Sequence, residues 1–137
     1  MALRHACFFL ALVGRLLAQT APAEGLRLIL TGDSIINRRL SVHREPDYVA
    51  MIERIRRADA AFTNLETLIH DFEAPGAEKS GGTYMGSPQW TVEELKWAGF
   101  DLLSVANNHA MDYGAEGLRT TLRRLEAGGL AYAGAGA

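Results

Sequence analysis

The chain has 137 residues, of which 48% are hydrophobic and 22% charged. That usage is ordinary for a globular protein and excludes intrinsic disorder and collagen-like repeats. With 14 Lys and Arg against 16 Asp and Glu, the formal charge is −2. This balance argues against a nucleic-acid partner held through its phosphates and leaves room for a small site that binds metal cations.

Residues 1–23 read as a targeting segment. Arg4 and His5 form a basic start, residues 6–13 an apolar run, and Gly14-Arg15 an interruption before residues 16–18 resume it. Ala21-Pro22-Ala23 then supplies small residues in an A-x-A pattern. This is the order of a secretory signal, and it predicts an exported protein, periplasmic, on the cell surface or extracellular. The alternatives are a buried N-terminal helix and a mis-called start codon. The run is shorter than the ~20 residues that cross a bilayer, so no stable transmembrane segment is expected. Cys7, the only cysteine, lies inside this segment. The rest of the chain therefore has no disulfide, cysteine-ligated zinc or thiol nucleophile.

Beyond the targeting segment, residues 26–31 form a strand-like run ended by Gly32-Asp33. Residues 48–58 carry Val49, Ile52 and Ile55 on one stripe of an amphipathic helix. Residues 60–63 are a second strand, ending at Asn64-Leu65-Glu66, and residues 71–86 a Gly-rich surface loop. Ser87-Pro88 reads as a helix start, with Ser87 as the N-cap. Val92, Leu95 and Ala98 form that helix's apolar face and Gly99 its stop. Residues 101–106 are a third strand, ending at Asn107-Asn108-His109. Residues 115–127 are a helix with Leu118, Leu122 and Leu125 on one face, and residues 130–133 begin a fourth strand. Strands alternating with helices imply right-handed crossovers, a mostly parallel sheet and an α/β fold, with no duplicated segment and no internal domain boundary.

In open α/β sheets ligands bind beyond the carboxyl ends of the strands. Here those ends carry Asp33, then Asn64 and Glu66, then Asn107, Asn108 and His109. Carboxylate and amide oxygens with an imidazole suit divalent ions such as Mg, Mn, Fe or Zn. Each group also has a plain reading. Asp33 is placed to serve a turn after Gly32, Asn64 and Glu66 to cap the next segment, and Asp112 to act as N-cap of the 115–127 helix or as a turn residue before Gly114. His43 and His70 lie in or beside polar loops and read as solvated. Gly32-Asp33-Ser34 is not a G-x-G-x-x-G dinucleotide turn.

Gly32-Asp33, Asn64-Leu65-Glu66, Gly99-Phe100-Asp101 and the run Val105-Ala106-Asn107-Asn108-His109-Ala110-Met111-Asp112-Tyr113-Gly114 stand in a specific order. With Gly117-Leu118, Thr121 and Gly134-Ala135-Gly136, this set resembles the poly-γ-glutamate capsule synthesis (CapA-like) family, whose fold is metallophosphatase-like. The resemblance implies a metal-dependent hydrolase with two divalent ions. Asp33, Glu66 and Asn108 would be metal ligands and His109 an acid or electrostatic stabiliser at the reacting oxygen. Asn64, Asn107 and Asp112 would stand behind them as supporting or capping groups. Ile35 occupies the position where the wider superfamily places a histidine. The family's further histidines come from a C-terminal half, so the resemblance implies that residues 24–137 are a partial domain, truncated at the C-terminus and without turnover by itself. The partners it implies are an anionic polymer and other cell-envelope synthesis proteins. The alternative function is a non-catalytic binding or assembly component for an anionic cell-surface polymer, since fold alone does not fix function.

Overall fold

The computed structural model describes residues 25–79 and 82–135; the expected signal segment and Gly136 lie outside them. In chain order the elements are β1 (Leu28–Ser34), α1 (Pro46–Arg56), β2 (Ala60–Leu65), β3 (Leu68–Ile69), β4 (Gly86–Ser87), α2 (Thr91–Ala98), β5 (Leu102–Ser104), α3 (Gly114–Gly128) and β6 (Ala131–Ala133). β1, β2, β5 and β6 form one parallel sheet, in that order. The expected α/β class with a mostly parallel sheet is therefore what the chain adopts.

Because strand order follows chain order, right-handed crossovers put every helix on the same face of this sheet. The residue-by-residue alternation of a strand then separates two surfaces. Ala61, Thr63, Leu65 and Leu103 point to the helical side and are buried, packed with Ile52 and Ile55 of α1, Leu95 and Ala98 of α2, and Leu125 of α3. On the other side Leu28, Leu30 and Leu102 remain 49%, 67% and 40% exposed. The register sets Leu30 beside Phe62 and Phe62 beside Leu102, so the bare side is a continuous apolar strip.

Several local features differ from the sequence expectation, each for a physical reason. The first two strands run further than expected, so Asp33 and Asn64 lie within β1 and β2 rather than after them. A break in register between Leu30 and Asp33 accommodates Gly32 and lets pairing continue to Ser34. The 48–58 helix starts earlier, with Pro46 in its first turn. Its stripe is narrower than expected, for Val49 stays exposed.

Ser87 is not a helix cap. It lies in β4, where its hydroxyl donates to the Ile36 carbonyl at 2.7 Å. Pro88 instead opens a turn closed by Thr91 N–H on its carbonyl at 3.0 Å, and α2 begins at Thr91. The residues expected to form one long loop run into β4 at Gly86, and β4 pairs in parallel with β3. Two-residue strands carry no periodicity that a sequence can display. Gly99 does end α2, at a left-handed φ of 95°. α3 turns Gly117, Thr120, Thr121 and Leu125 inward, so Leu118 and Leu122 sit at the margin of its buried face. Asp112 does not cap it; Tyr113 occupies the N-cap position with no side-chain cap bond.

His70 is the largest departure. It is fully buried rather than solvated. β3 directs it inward, with its ring centroid 4.0 Å from that of Tyr113 and 5.8 Å from that of Phe72. Its backbone N–H is bonded to the Ser87 carbonyl at 3.0 Å. His43 remains exposed as expected, with its ring against Tyr48.

Candidate functional site

Parallel pairing aligns Asp33, Asn64 and Ser104 across three strands at the carboxyl edge of the sheet. The amide of Asn64 donates to Asp33 Oδ1 at 2.8 Å. Beneath them the hydroxyls of Ser34 and Thr63 lie 2.5 Å apart, and Thr63 Oγ1 donates to the Gly32 carbonyl at 2.8 Å. These half-buried bonds hold the end of β1 where its local register is broken.

Asn107 continues the chain of contacts. Its Nδ2 donates to the Leu65 carbonyl at 2.9 Å and to Asn64 Oδ1 at 3.3 Å, and its Oδ1 accepts from His109 N–H at 3.0 Å. Asn64 and Asn107 therefore link the carboxylate at β1 to the loop that carries the histidine. Two amides at an apolar strand end are costly unless bonded, and here the polar atoms are bonded to one another.

His109 Nδ1 lies 2.8 Å from Asp112 Oδ2; the side chains are 11% and 0% exposed. The same Asp112 oxygen accepts from Met85 N–H at 2.7 Å, and the Asp112 carbonyl accepts from Ala77 N–H at 2.7 Å. Tyr84 hydroxyl donates to the Ala77 carbonyl, and its ring packs on Tyr113. Asp112 is thus a buried junction between the histidine loop and the 77–85 segment. The sequence marked Asp112 but not Ala77, Tyr84 or Met85, which act through backbone and ring contacts that no motif records.

Glu66 completes the acidic side. Partial desolvation, then a hydrogen bond with Asp33 and the Asp33 charge, raise its carboxyl above the ordinary range, while the positive charge that His109 can carry opposes them. Asp33 and Glu66 therefore form an adjacent carboxylate pair with His109 within electrostatic reach. Asn108, by contrast, is exposed, and its side chain makes no hydrogen bond to the other candidate residues among the described residues. No group of three or more His, Cys, Asp or Glu side chains is arranged as a metal cage among the described residues. The donor set that is present, two carboxylates flanked by amides, is oxygen-rich and suits part of the shell of a hard divalent cation.

The sequence profile of the bacterial capsule synthesis protein PGA_cap matches residues 27–137. An uncharacterized protein of Sinorhizobium fredii is 36% identical over 121 residues, which cover 85% of this chain and 26% of that protein. The capsule biosynthesis protein CapA of Bacillus anthracis is 31% identical over 82% of this chain and 29% of its own length. The PGA biosynthesis protein CapA of Bacillus subtilis is 32% identical over 76% of this chain and 24% of its own length. The chain spans about a quarter of the length of these relatives. No helix among the described residues is long and apolar enough to cross a membrane. The profile match includes every strand of the sheet and every residue of the linked edge from Asp33 to Asp112, and on that match the chain belongs to the bacterial capsule synthesis protein PGA_cap family.

Proposed function

We propose that this chain contributes part of a metal-dependent hydrolase site to an exported capsule-synthesis protein that acts on an anionic cell-surface polymer, with residues 1–23 as its export signal. The observation that carries this reading is the Asp33–Glu66 carboxylate pair, set at the strand ends beside a histidine whose Nδ1 is committed to a buried aspartate. Two adjacent carboxylates repel one another, and a cation between them relieves that repulsion. Asp33, Glu66 and Asn108 would hold the metal, and the bound ion or ions (Mn, Mg, Fe or Zn) would polarise the electrophile and acidify a bound water.

The chain's own residues supply the rest. Asp112 accepts from the Nδ1 side of His109, so the imidazole gains or loses its working proton at Nε2. Asn107 fixes the backbone of His109 through its N–H. Asn64 orients the Asp33 carboxylate. Asn108, being exposed, lies open to an arriving group.

A second reading is favoured by one observation, the lack of a cage of three or more acidic or imidazole ligands among the described residues. On that reading the same edge belongs to a non-catalytic binding or assembly component. Calorimetric titration of Mn, Mg and Zn into the chain separates the two. The hydrolase reading expects saturable binding that Asp33→Asn weakens about tenfold or more, the loss of one charged ligand. Absence of binding in the parent chain, or equal binding in the variant, would sink the metal reading and leave the binding component.

A further inference from the structure

The chain leaves β1 at the edge that carries Asp33 and does not enter α1 until Pro46. The connecting residues 35–45 are irregular, yet they are tied down along their length. Ile36 is buried, and its carbonyl accepts from Ser87 Oγ at 2.7 Å and Thr91 Oγ1 at 3.4 Å. Tyr48 hydroxyl donates to the Leu40 carbonyl at 3.1 Å. Glu94 of α2 has a side chain only 3% exposed and accepts from Ser41 N–H at 2.8 Å, Ser41 Oγ at 3.0 Å and Arg39 Nη1 at 3.0 Å. Arg39 in turn lies over the ring of Trp90, 4.9 Å from its centroid. Burial pushes the Glu94 carboxyl up, but the bonds from Ser41, Arg39 and the Leu40 backbone outweigh it and hold the group below its ordinary range.

A buried carboxylate is costly unless its bonds are well made. Here those bonds fix the shape of a surface loop rather than a helix or a strand. Loops set rigidly over strand carboxyl ends are where α/β sheets take their ligands. What this loop presents is Arg38. Arg39 is committed to Glu94, and Arg44 Nη1 to the Ser41 and His43 carbonyls at 2.6 and 2.7 Å. Arg38 is exposed and has no hydrogen-bond or ion-pair partner among the described residues. The neighbouring strand ends carry Asp33 and Glu66, so the edge repels an anion unless a cation draws it in. A guanidinium does this with a planar fork that matches a carboxylate.

We propose that Arg38, held out by the loop that buried Glu94 clamps, anchors a carboxylate of an anionic polymer chain laid along the strand ends toward Asp33 and Glu66. This rests on the reading that the site serves an anionic capsule polymer, and it adds the residue that recognises the chain and the device that positions it. Glu94 is a positioning residue and touches no polymer.

Fluorescence anisotropy of labelled poly-γ-glutamate with the full chain tests it, with polyphosphate as the second probe. Arg38→Ala is expected to weaken poly-γ-glutamate binding about tenfold, the loss of one charge-assisted fork, without a change in melting temperature or in metal titration. Arg38→Lys should recover part of the loss, and Arg119→Ala, at an exposed position of α3 outside this loop, should bind as the parent does. Glu94→Gln should weaken polymer binding and expose residues 35–45 to proteolysis, whereas Arg38→Ala should leave proteolysis unchanged. Equal binding by Arg38→Ala and the parent overturns the proposal. So does polyphosphate binding as tight as that of poly-γ-glutamate and equally dependent on Arg38, which would make the loop a clamp for any anion. A parent chain that binds metal through Asp33 but no polymer overturns this proposal alone. Arg38-dependent polymer binding without metal binding overturns the hydrolase reading alone.

Discussion

Replacing Asp112 with alanine is expected to cost about 2–5 kcal/mol, the range for breaking a buried polar junction and stranding its partners. The carboxylate is buried and accepts from both Met85 N–H and the His109 ring. Truncation leaves that backbone donor without its acceptor and frees the imidazole to turn. Had Asp112 been the N-cap that its position before Gly114 suggests, the cost would be only about 1 kcal/mol. Urea unfolding therefore separates a junction from a cap. Asp112→Asn keeps the shape and one acceptor, so its cost should be smaller, while the nitrogen chemical shifts of His109 should still change. A loss near 1 kcal/mol with unchanged His109 resonances would show that the junction carries no load.

The contrast between Asp112 and Asp33 explains how much of the molecule was legible in its sequence. Asp33, Asn64, Asn107 and His109 follow apolar runs that end in polar clusters, and parallel pairing brings such ends to one edge whatever the details of packing. Their spatial neighbourhood could therefore be read. What Asp112 bonds to could not, because Met85 belongs to a segment whose only regular structure is a two-residue strand pair. The Ser87-Pro88 signal was equally misleading. A hydroxyl before a proline favours a helix cap only when no buried carbonyl competes for it, and the Ile36 carbonyl does.

The bare side of the sheet arises from strand order rather than from any motif. Each crossover is of a common kind, but three in the same direction leave Leu28, Leu30 and Leu102 on a side that no described helix covers. Alternation in β1 shows that Leu28 and Leu30 share a face. It does not show whether that face is covered, since the helices that cover one side are allotted by strands far along the chain.

Acidification is expected to destabilise the chain from about pH 6.5 downward through His70, and further below about pH 4.5 through Glu94. Burial lowers the tendency of His70 to take a proton. Nearby Arg124 lowers it further, and Glu73 and Asp71 offset only part of this. Neither ring nitrogen has a hydrogen-bond partner among the described residues, and the aromatic faces of Tyr113 and Phe72 take up much of its surroundings. The unfolded chain therefore binds a proton near 6.5 that the folded chain refuses until a lower pH. Between those two values the unfolded state holds more protons, so stability rises with pH. His70 contributes its full share above 6.5 and loses it as pH falls through its folded value. Glu94 behaves as a carboxylate with a depressed folded value. Its contribution is present above 4.5 and lost as pH falls through that folded value. His70→Leu, close in volume and without nitrogens, should remove the upper slope and keep the lower one. At neutral pH it should also raise stability by about 1–2 kcal/mol, because it removes buried polar atoms that have no partner. Urea midpoints measured from about pH 8 to pH 4 read both effects. An upper slope that persists in His70→Leu would assign the acid sensitivity to another group and return His70 to an inert place in the core.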